Sequence, residues 1–302
     1  MMKNDLSVII PVRNEIIHIE RSIKSALCLT PHVYVVDSSS SDGTIEKAIS
    51  LGAKVFQYEW GPSSSFSDKM NWALKNLPIK TQWILRLDAD EYFMDKTIEE
   101  LSVELAKLDP QINGVTLNRR IHFLGRWMKH SGQYPRPMLR VTRLGYAQYE
   151  ARLLDEHVLI EGNRIANLSL DFIDENLSSI STWIQKHDKY STLQAIELLH
   201  LQIGLFERQE NIEIDLSLQK LRKRKYFYSQ LPTYWRPFMY FFFRHIIKLG
   251  FLDGYQGFLW NFLQAWWYNT VVDIKIQEIR KVCGNDKMKI KRFLKDKYLI
   301  EI

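Results

Sequence analysis

Cysteine is nearly absent. The 302 residues hold only Cys28 and Cys283, far apart and in no Cys-x-x-Cys or Cys/His spacing, which argues against a disulfide scaffold or structural zinc and for a reducing compartment. Two nucleotide-binding devices are also missing. No Gly-x-Gly-x-x-Gly follows the first apolar run and no Gly-x-x-x-x-Gly-Lys-Ser/Thr occurs anywhere, so dinucleotide and P-loop readings lose their support. The opening MMKNDLSVIIPVRNE has a short apolar run and then charge, unlike a secretory leader. Long hydrophobic runs are lacking too. Residues 255–272 carry no charge over 18 positions, the lower limit for a membrane span, but Gln256, Asn261, Gln264 and Asn269 interrupt them.

What is present is the composition of a globular protein, 46% hydrophobic and 25% charged, long enough for one large domain or two ordinary ones. The net charge of +6 is unevenly spread. Residues 220–302 hold 17 Lys and Arg against 6 Asp and Glu, a balance of +11, which leaves 24 against 29, or −5, for residues 1–219. The basic quarter is also where the aromatics crowd, in YFYSQLPTYWRPFMYFFF and YQGFLWNFLQAWWYN. Arg244, His245 and Lys248 would be costly at a bilayer centre. Aromatic, amphipathic helices beside positive charge instead suit the surface of an anionic leaflet, with an internal helical core or an oligomer interface as the alternative. No nucleic-acid recognition motif accompanies the charge.

The first hundred residues alternate strand and helix patterns. LSVIIPV, VYVVD, KVFQY and WILRL read as strands, and EIIHIERSIKSAL, DGTIEKAISLG, 68–77 and 97–108 as helices. This predicts an α/β architecture with a mainly parallel sheet flanked by helices. Residues 114–165 carry further β segments, and from about Leu177 the chain is helical. Ligands bind off the carboxyl ends of parallel strands. PVRNE, DSSSSDGT and DADE each stand at such an end, so three polar loops are expected along one edge.

The acids of WILRLDADEYF pose a physical problem. Two carboxylates ~5 Å apart repel by roughly 3 kcal/mol at an effective dielectric near 20, so a cation, a proton or water must relieve Asp88, Asp90 and Glu91. In an extended segment Asp88 and Asp90 share a face. Hard cations such as Mg²⁺ or Mn²⁺ take one or two carboxylates and complete their shell with substrate phosphates, acting as Lewis acid toward a phosphate leaving group.

With SVIIPVRNE, VVDSSSSDGT, FSDKMNWAL and LRLDADE in order over residues 6–91, the chain resembles the family 2 glycosyltransferases of the GT-A fold, inverting enzymes that use nucleotide sugars. The resemblance implies a nucleotide-sugar pocket lined by Pro11, Arg13, Asn14 and Glu15, with Asp37 at the base, and Asp88 and Asp90 as the metal-binding pair, Asp90 nearest the divalent cation (Mn²⁺ or Mg²⁺). Lys69 and Asn71 belong to the third motif, where many members have the basic residue directly before the asparagine and this chain has Met70. LLDEHV lies about where the family carries its base. It offers Glu156 as the base, with Asp155 in competition because His157 follows the glutamate, whereas relatives that build lipopolysaccharide cores place it before. No Gln-x-x-Arg-Trp motif of the processive members occurs, so transfer of a single sugar is expected. Arg136, Arg140 and Arg143 are candidates to clamp phosphate or acceptor, with ordinary surface arginines the equal alternative. His122, His130 and His187 show no metal-ligand spacing.

The expected organisation is a nucleotide-sugar half over 1–112, an acceptor-side half over 113–176 and a helical, aromatic-rich extension over 177–302. The expected partners are a nucleotide-sugar donor, a saccharide or lipid-linked acceptor and an anionic membrane, with no nucleic acid, and the expected location is cytoplasmic and peripheral on the inner face of the cell membrane. Two rivals stand: a sugar-phosphate nucleotidyltransferase, which normally opens with a glycine-rich loop missing here, and a non-catalytic envelope-assembly protein with a decayed transferase domain.

Overall fold

The computed structural model describes residues 5–61, 64–150, 157–206, 216–300 and 302. They fall into two compact units, the first running to Ser178 and the second from Ser179. The first holds strands β1 (Leu6–Val12), β2 (Val33–Asp37), β3 (Lys54–Gln57), β4 (Trp83–Arg86), β5 (Glu91–Phe93), β6 (Gly114–Phe123), β7 (Arg126–Trp127), β8 (Pro137–Arg143), β9 (Ala147–Tyr149), β10 (Val158–Ile160) and β11 (Ile165–Glu175). Its helices are α1 (Ile19–Leu29), α2 (Thr44–Ser50), α3 (Phe66–Asn76) and α4 (Asp95–Lys107). The second unit holds α5 (Ile180–Ile203), α6 (Leu216–Gln230), α7 (Trp235–Phe242), α8 (Gly254–Asn261), α9 (Tyr268–Cys283) and α10 (Lys287–Tyr298).

The main sheet runs β3-β2-β1-β4-β8-β6-β11-β5, with β7 added on β6, while β9 and β10 pair separately. Its first four strands are parallel, as the strand and helix alternation predicts. Beyond them the sheet is mixed: β8 lies antiparallel between β4 and β6, and β11 returns parallel to β6. All seven residues of β1 are buried, the mark of a central strand covered on both faces. Ile19, Ile23 and Ala26 of α1 and Leu101 and Leu105 of α4 pack on the sheet with Val115 and Leu117 of β6. At the edge, β3 leaves Lys54 and Gln57 exposed, charge and polarity that discourage pairing with another chain.

Two local differences from the sequence reading bear on the site. The first helix starts at Ile19 rather than directly after the strand, because the Glu15 and Ile16 N–H groups are taken by Thr44 Oγ1 (2.9 Å) and Asp42 Oδ2 (3.1 Å). The acidic stretch is a turn and not a strand end. The chain leaves β4 after Arg86, closes a turn with Glu91 N donating to Asp88 O (2.9 Å), and re-enters the sheet as β5 against β11. Strand alternation therefore does not set the directions of Asp88 and Asp90.

In the second unit, Ala195, Ile196 and Leu199 of α5 meet Val272, Ile276 and Ile279 of α9 and Ile290 and Leu294 of α10. A π-helical turn over Phe243–Ile247 prolongs α7, a short 3₁₀ turn covers Gly250–Asp253, and a second π-helical turn, Phe262–Trp267, joins α8 to α9. Among the described residues no helix is long and apolar enough to cross a membrane.

Candidate active site

The parallel register aligns Val12 of β1 with Asp37 of β2, so the segments that follow both strands emerge together. Side chains then tie them. Asn14, in the left-handed region at φ 56°, donates its N–H to Ser40 Oγ (2.8 Å) and accepts from Ser41 N at Oδ1 (2.8 Å). Asp42 receives the N–H groups of Ile16 (3.1 Å) and Thr44 (3.0 Å). Burial favours its proton, yet these bonds and the Thr44 hydroxyl hold its carboxyl below the usual range. Asp42 and Thr44 thus shape the loop. Asp37 is fully buried and accepts both the N–H (2.9 Å) and the hydroxyl of Ser40. Arg13 is exposed at the loop tip with its guanidinium 5.9 Å from the Trp60 ring centre, and Pro11 is buried within β1.

Glu15 is fixed through a buried histidine. Leu177 N donates to His18 Nε2 (2.9 Å), so that nitrogen is the acceptor and the ring proton sits on Nδ1, which donates to Glu15 Oε2 at 2.6 Å.

Helix α3 delivers the third motif. Ser65 and Asp68 form a reciprocal capping box, Ser65 Oγ receiving Asp68 N (3.1 Å) and Asp68 Oδ2 receiving Ser65 N (2.8 Å). One position further on, Lys69 points inward, 4% exposed, and donates to Val12 O at 2.9 Å. Burial pushes its ammonium down to about 8, against the attraction of Asp37 and Asp88. Lys69 therefore brings a buried cation between the second loop and the acidic turn. Asn71 does other work: its amide donates to Tyr149 O (2.9 Å) and accepts from Tyr149 N (2.8 Å), pinning β9.

At the acidic turn, arginine supplies part of the relief that the sequence demanded. Arg86 grips Asp88 with two bonds of 2.8 Å. Arg140 of β8, 5% exposed, donates to Glu91 and lies 3.4 Å from Asp88 Oδ2. Glu91 Oε2 in turn accepts Asp88 N (2.9 Å). Burial favours a proton on Asp88, but Arg86 and Arg140 hold its carboxyl well below the ordinary range. Glu91 moves the other way, pushed up to about 8 by burial and by the neighbouring carboxylates despite Arg140. Asp174, on β11, is pushed up to about 6 by burial and then by Asp90. Asp88, Asp90, Glu91 and Asp174 share this corner, and Glu91 and Asp174 are the two shifted toward keeping a proton.

Asp90 is the open member. It is half-buried, and its carboxylate accepts the Asn176 amide at 3.4 Å. Its backbone is anchored, with Asp90 O accepting from Glu175 N (3.1 Å) and Arg21 NH2 (3.4 Å). Among the described residues no three His, Cys, Asp or Glu side chains group to hold a metal alone, so a cation here would take phosphate oxygens for the rest of its shell. Asp90 suits that case, since the Asn176 amide at 3.4 Å leaves it lone pairs, whereas the Asp88 oxygens are already engaged by Arg86 and Arg140 and would serve a cation less directly.

Glu156 and Asp155, the candidate bases, lie outside the described residues. Of the three candidate clamp arginines, Arg140 is buried on the acids. Arg143 donates to Ile112 O (3.1 Å) and sits 4.5 Å from the Trp83 ring centre, and Arg136 reaches Gln133 Oε1 at 3.5 Å. Sequence reasoning missed Arg86, His18, Asn176 and Asp174. Only Arg86, two residues before Asp88, left a local signal.

The profile described as Glycosyl transferase family 2 matches residues 7–171. An uncharacterized glycosyltransferase of Rickettsia bellii (strain RML369-C) is 35% identical over 104 residues, 33% of each chain, and one of Rickettsia typhi is 33% identical over 99 residues, 32% of this chain and 31% of that one. The matched part spans about a third of the curated relatives' length. Among solved structures, S. aureus TarS 1–349 covers 97% of this chain and 91% of its own at 15% identity and TM-score 0.43. Glucosyl-3-phosphoglycerate synthase of Mycobacterium tuberculosis, solved with Mn²⁺, UDP-glucose and phosphoglyceric acid, covers 39% and 44% at 23% identity and TM-score 0.34. The profile match takes in more than half of the chain, including the loops after β1 and β2, helix α3 and the acidic turn, and the chain belongs to glycosyl transferase family 2.

Proposed function

We propose that the chain is a metal-dependent, inverting glycosyltransferase that moves one hexose from a UDP-sugar to a saccharide or lipid-linked saccharide acceptor in cell-envelope polysaccharide or lipopolysaccharide synthesis. It would act in the cytoplasm at the anionic inner face of the membrane. The observation that carries this reading is the convergence of Asp37, the buried Lys69 and the Asp88–Asp90 turn, with one open carboxylate, at the carboxyl edge of four parallel strands. The strands before residue 113 would hold the donor, residues 113–176 the acceptor, and 177–302 the membrane contact.

Each residue then has a task. Asp37, held rigid by Ser40, accepts hydrogen bonds from the base or ribose, and the loop of Pro11, Arg13, Asn14 and Glu15 walls the pocket. Lys69 offsets diphosphate charge from below, and Asn71 keeps β9 in register. Asp90, with Asp88, would hold Mn²⁺ or Mg²⁺, which supplies charge stabilisation to the departing diphosphate. Glu156, with Asp155 as competitor, takes the acceptor proton as the hydroxyl attacks the far face of the sugar.

The experiment is thermal stabilisation by a panel of nucleotide sugars with Mn²⁺ or with EDTA. A ligand that binds only the folded chain adds about 2.7 kcal/mol at a hundredfold excess over its Kd. The expected result is a shift for UDP-sugars that needs metal and vanishes in Asp90→Ala. No shift with any nucleotide sugar would overturn the reading.

A further inference from the structure

The second unit turns its charges inward and its apolar side chains outward along one segment. Trp235, Met239, Phe243 and Ile247 recur every fourth residue along α7 and its π-helical extension and are 67, 54, 45 and 59% exposed, and past the chain reversal at Leu249 (φ 56°) Phe251 and Tyr255 are 47 and 65% exposed. Over residues 226–258 the formal charges are Arg236, Arg244, Lys248 and Asp253. Three of them are buried and Lys248 alone is exposed. Arg236 donates to Asp273 (2.9 Å) and to the carbonyls of Tyr228 (3.1 Å) and Ser229 (3.0 Å), with neither side chain of the ion pair more than 1% exposed.

A surface that faces water does the reverse, and a contiguous apolar patch marks a partner or a membrane. Protein interfaces rim such a patch with polar groups and about one hydrogen bond per 100–200 Å². This segment removes its charged groups from the face, the arrangement that lipid requires because a charge among acyl chains is costly. Exposed Lys223 and Arg224 precede it on α6 and exposed Lys248 lies within it, cations suited to headgroup phosphates. No described helix can span a bilayer, so the segment would lie in the plane. Within it α7 packs back on the second π-helical turn through Phe238 and Phe241 against Trp266, with ring centres 5.4 and 5.5 Å apart.

We infer that residues 235–255 form a membrane-embedding surface that holds the chain by inserting its apolar stripe into the phospholipid interface, with the basic residues adding attraction to anionic headgroups. The insertion surface rests on the membrane part of the function proposed above. Vesicle binding needs no sugar donor, so a chain that embeds but takes no nucleotide sugar would sink only the transferase reading.

The test is co-sedimentation of the full chain with vesicles of pure phosphatidylcholine at high salt, where attraction to anionic lipid is absent. Wild type should pellet. The double variant Ile247→Asp, Phe251→Asp should partition at least tenfold less while keeping its circular dichroism and melting temperature. Val282→Asp, exposed but off the stripe, should bind as wild type. Failure of wild type to pellet, or undiminished binding by the double variant, would overturn the inference. So would wild-type dimers in analytical ultracentrifugation that the double variant splits without any lipid binding by either, which would make the stripe an interface between copies.

Discussion

Arg140 shows how one buried side chain governs the acidic turn. It faces Asp88 and Glu91 together, and removing one partner of a buried, hydrogen-bonded charge group costs about 3–5 kcal/mol. Arg140→Met should therefore lower the stability of the sheet unit by about that amount in urea unfolding, and Arg140→Lys should recover part of it. The acids also set a pH response. Asp174, pushed up to about 6 in the fold, keeps a proton that an unfolded carboxyl with pKa ~3.9 has lost. More protons on the folded chain mean stability that falls as pH rises. Its contribution is full below about pH 4 and is lost through pH 6. Melting curves from pH 4 to 7 should show this slope, flatter in Asp174→Asn, and Mn²⁺ should stabilise more above pH 6 than below, since it binds the ionised cluster.

At the scale of elements, the ion pair between α7 and α9 is sealed: Asp273 accepts from Arg236 and from Tyr234 N (3.0 Å). Asp273→Asn should cost the helical unit several kcal/mol, measured by chemical unfolding, while donor-induced stabilisation of the sheet unit persists. The parallel half of the sheet was legible in the sequence because each apolar run ends in a polar cluster and each helix carries its own 3.6 period. The rest was not, because the responsible contacts are distant. Lys69 is buried by a bond to a carbonyl 57 positions earlier, and β8, which carries Arg140, enters between β4 and β6 in the reverse direction. The turn at Asp88–Asp90 escaped for the opposite reason. Glu91 reads as one more acid, yet it folds back on the Asp88 N–H.

For the whole molecule, charge is divided along the chain, −5 over residues 1–219 and +11 over 220–302. A polybasic segment gains about 1 kcal/mol per Lys or Arg near an anionic surface and loses it beyond a Debye length of ~10 Å at 0.1 M salt. Phosphatidylglycerol in the vesicles should therefore tighten binding, and added salt should remove that increment and leave the phosphatidylcholine level. If salt removed all binding, attraction alone would hold the chain at the surface.

The position of β8 also bears on synthesis. Asp88 and Glu91 leave the ribosome 52 and 49 residues before Arg140, which at roughly 5–20 residues per second is a delay of several seconds. During that interval Asp88 has Arg86 alone and Glu91 lacks its guanidinium partner. A chain cut at residue 112 would lack Arg140 altogether, and Glu91 would stay without that partner however long it was given to fold.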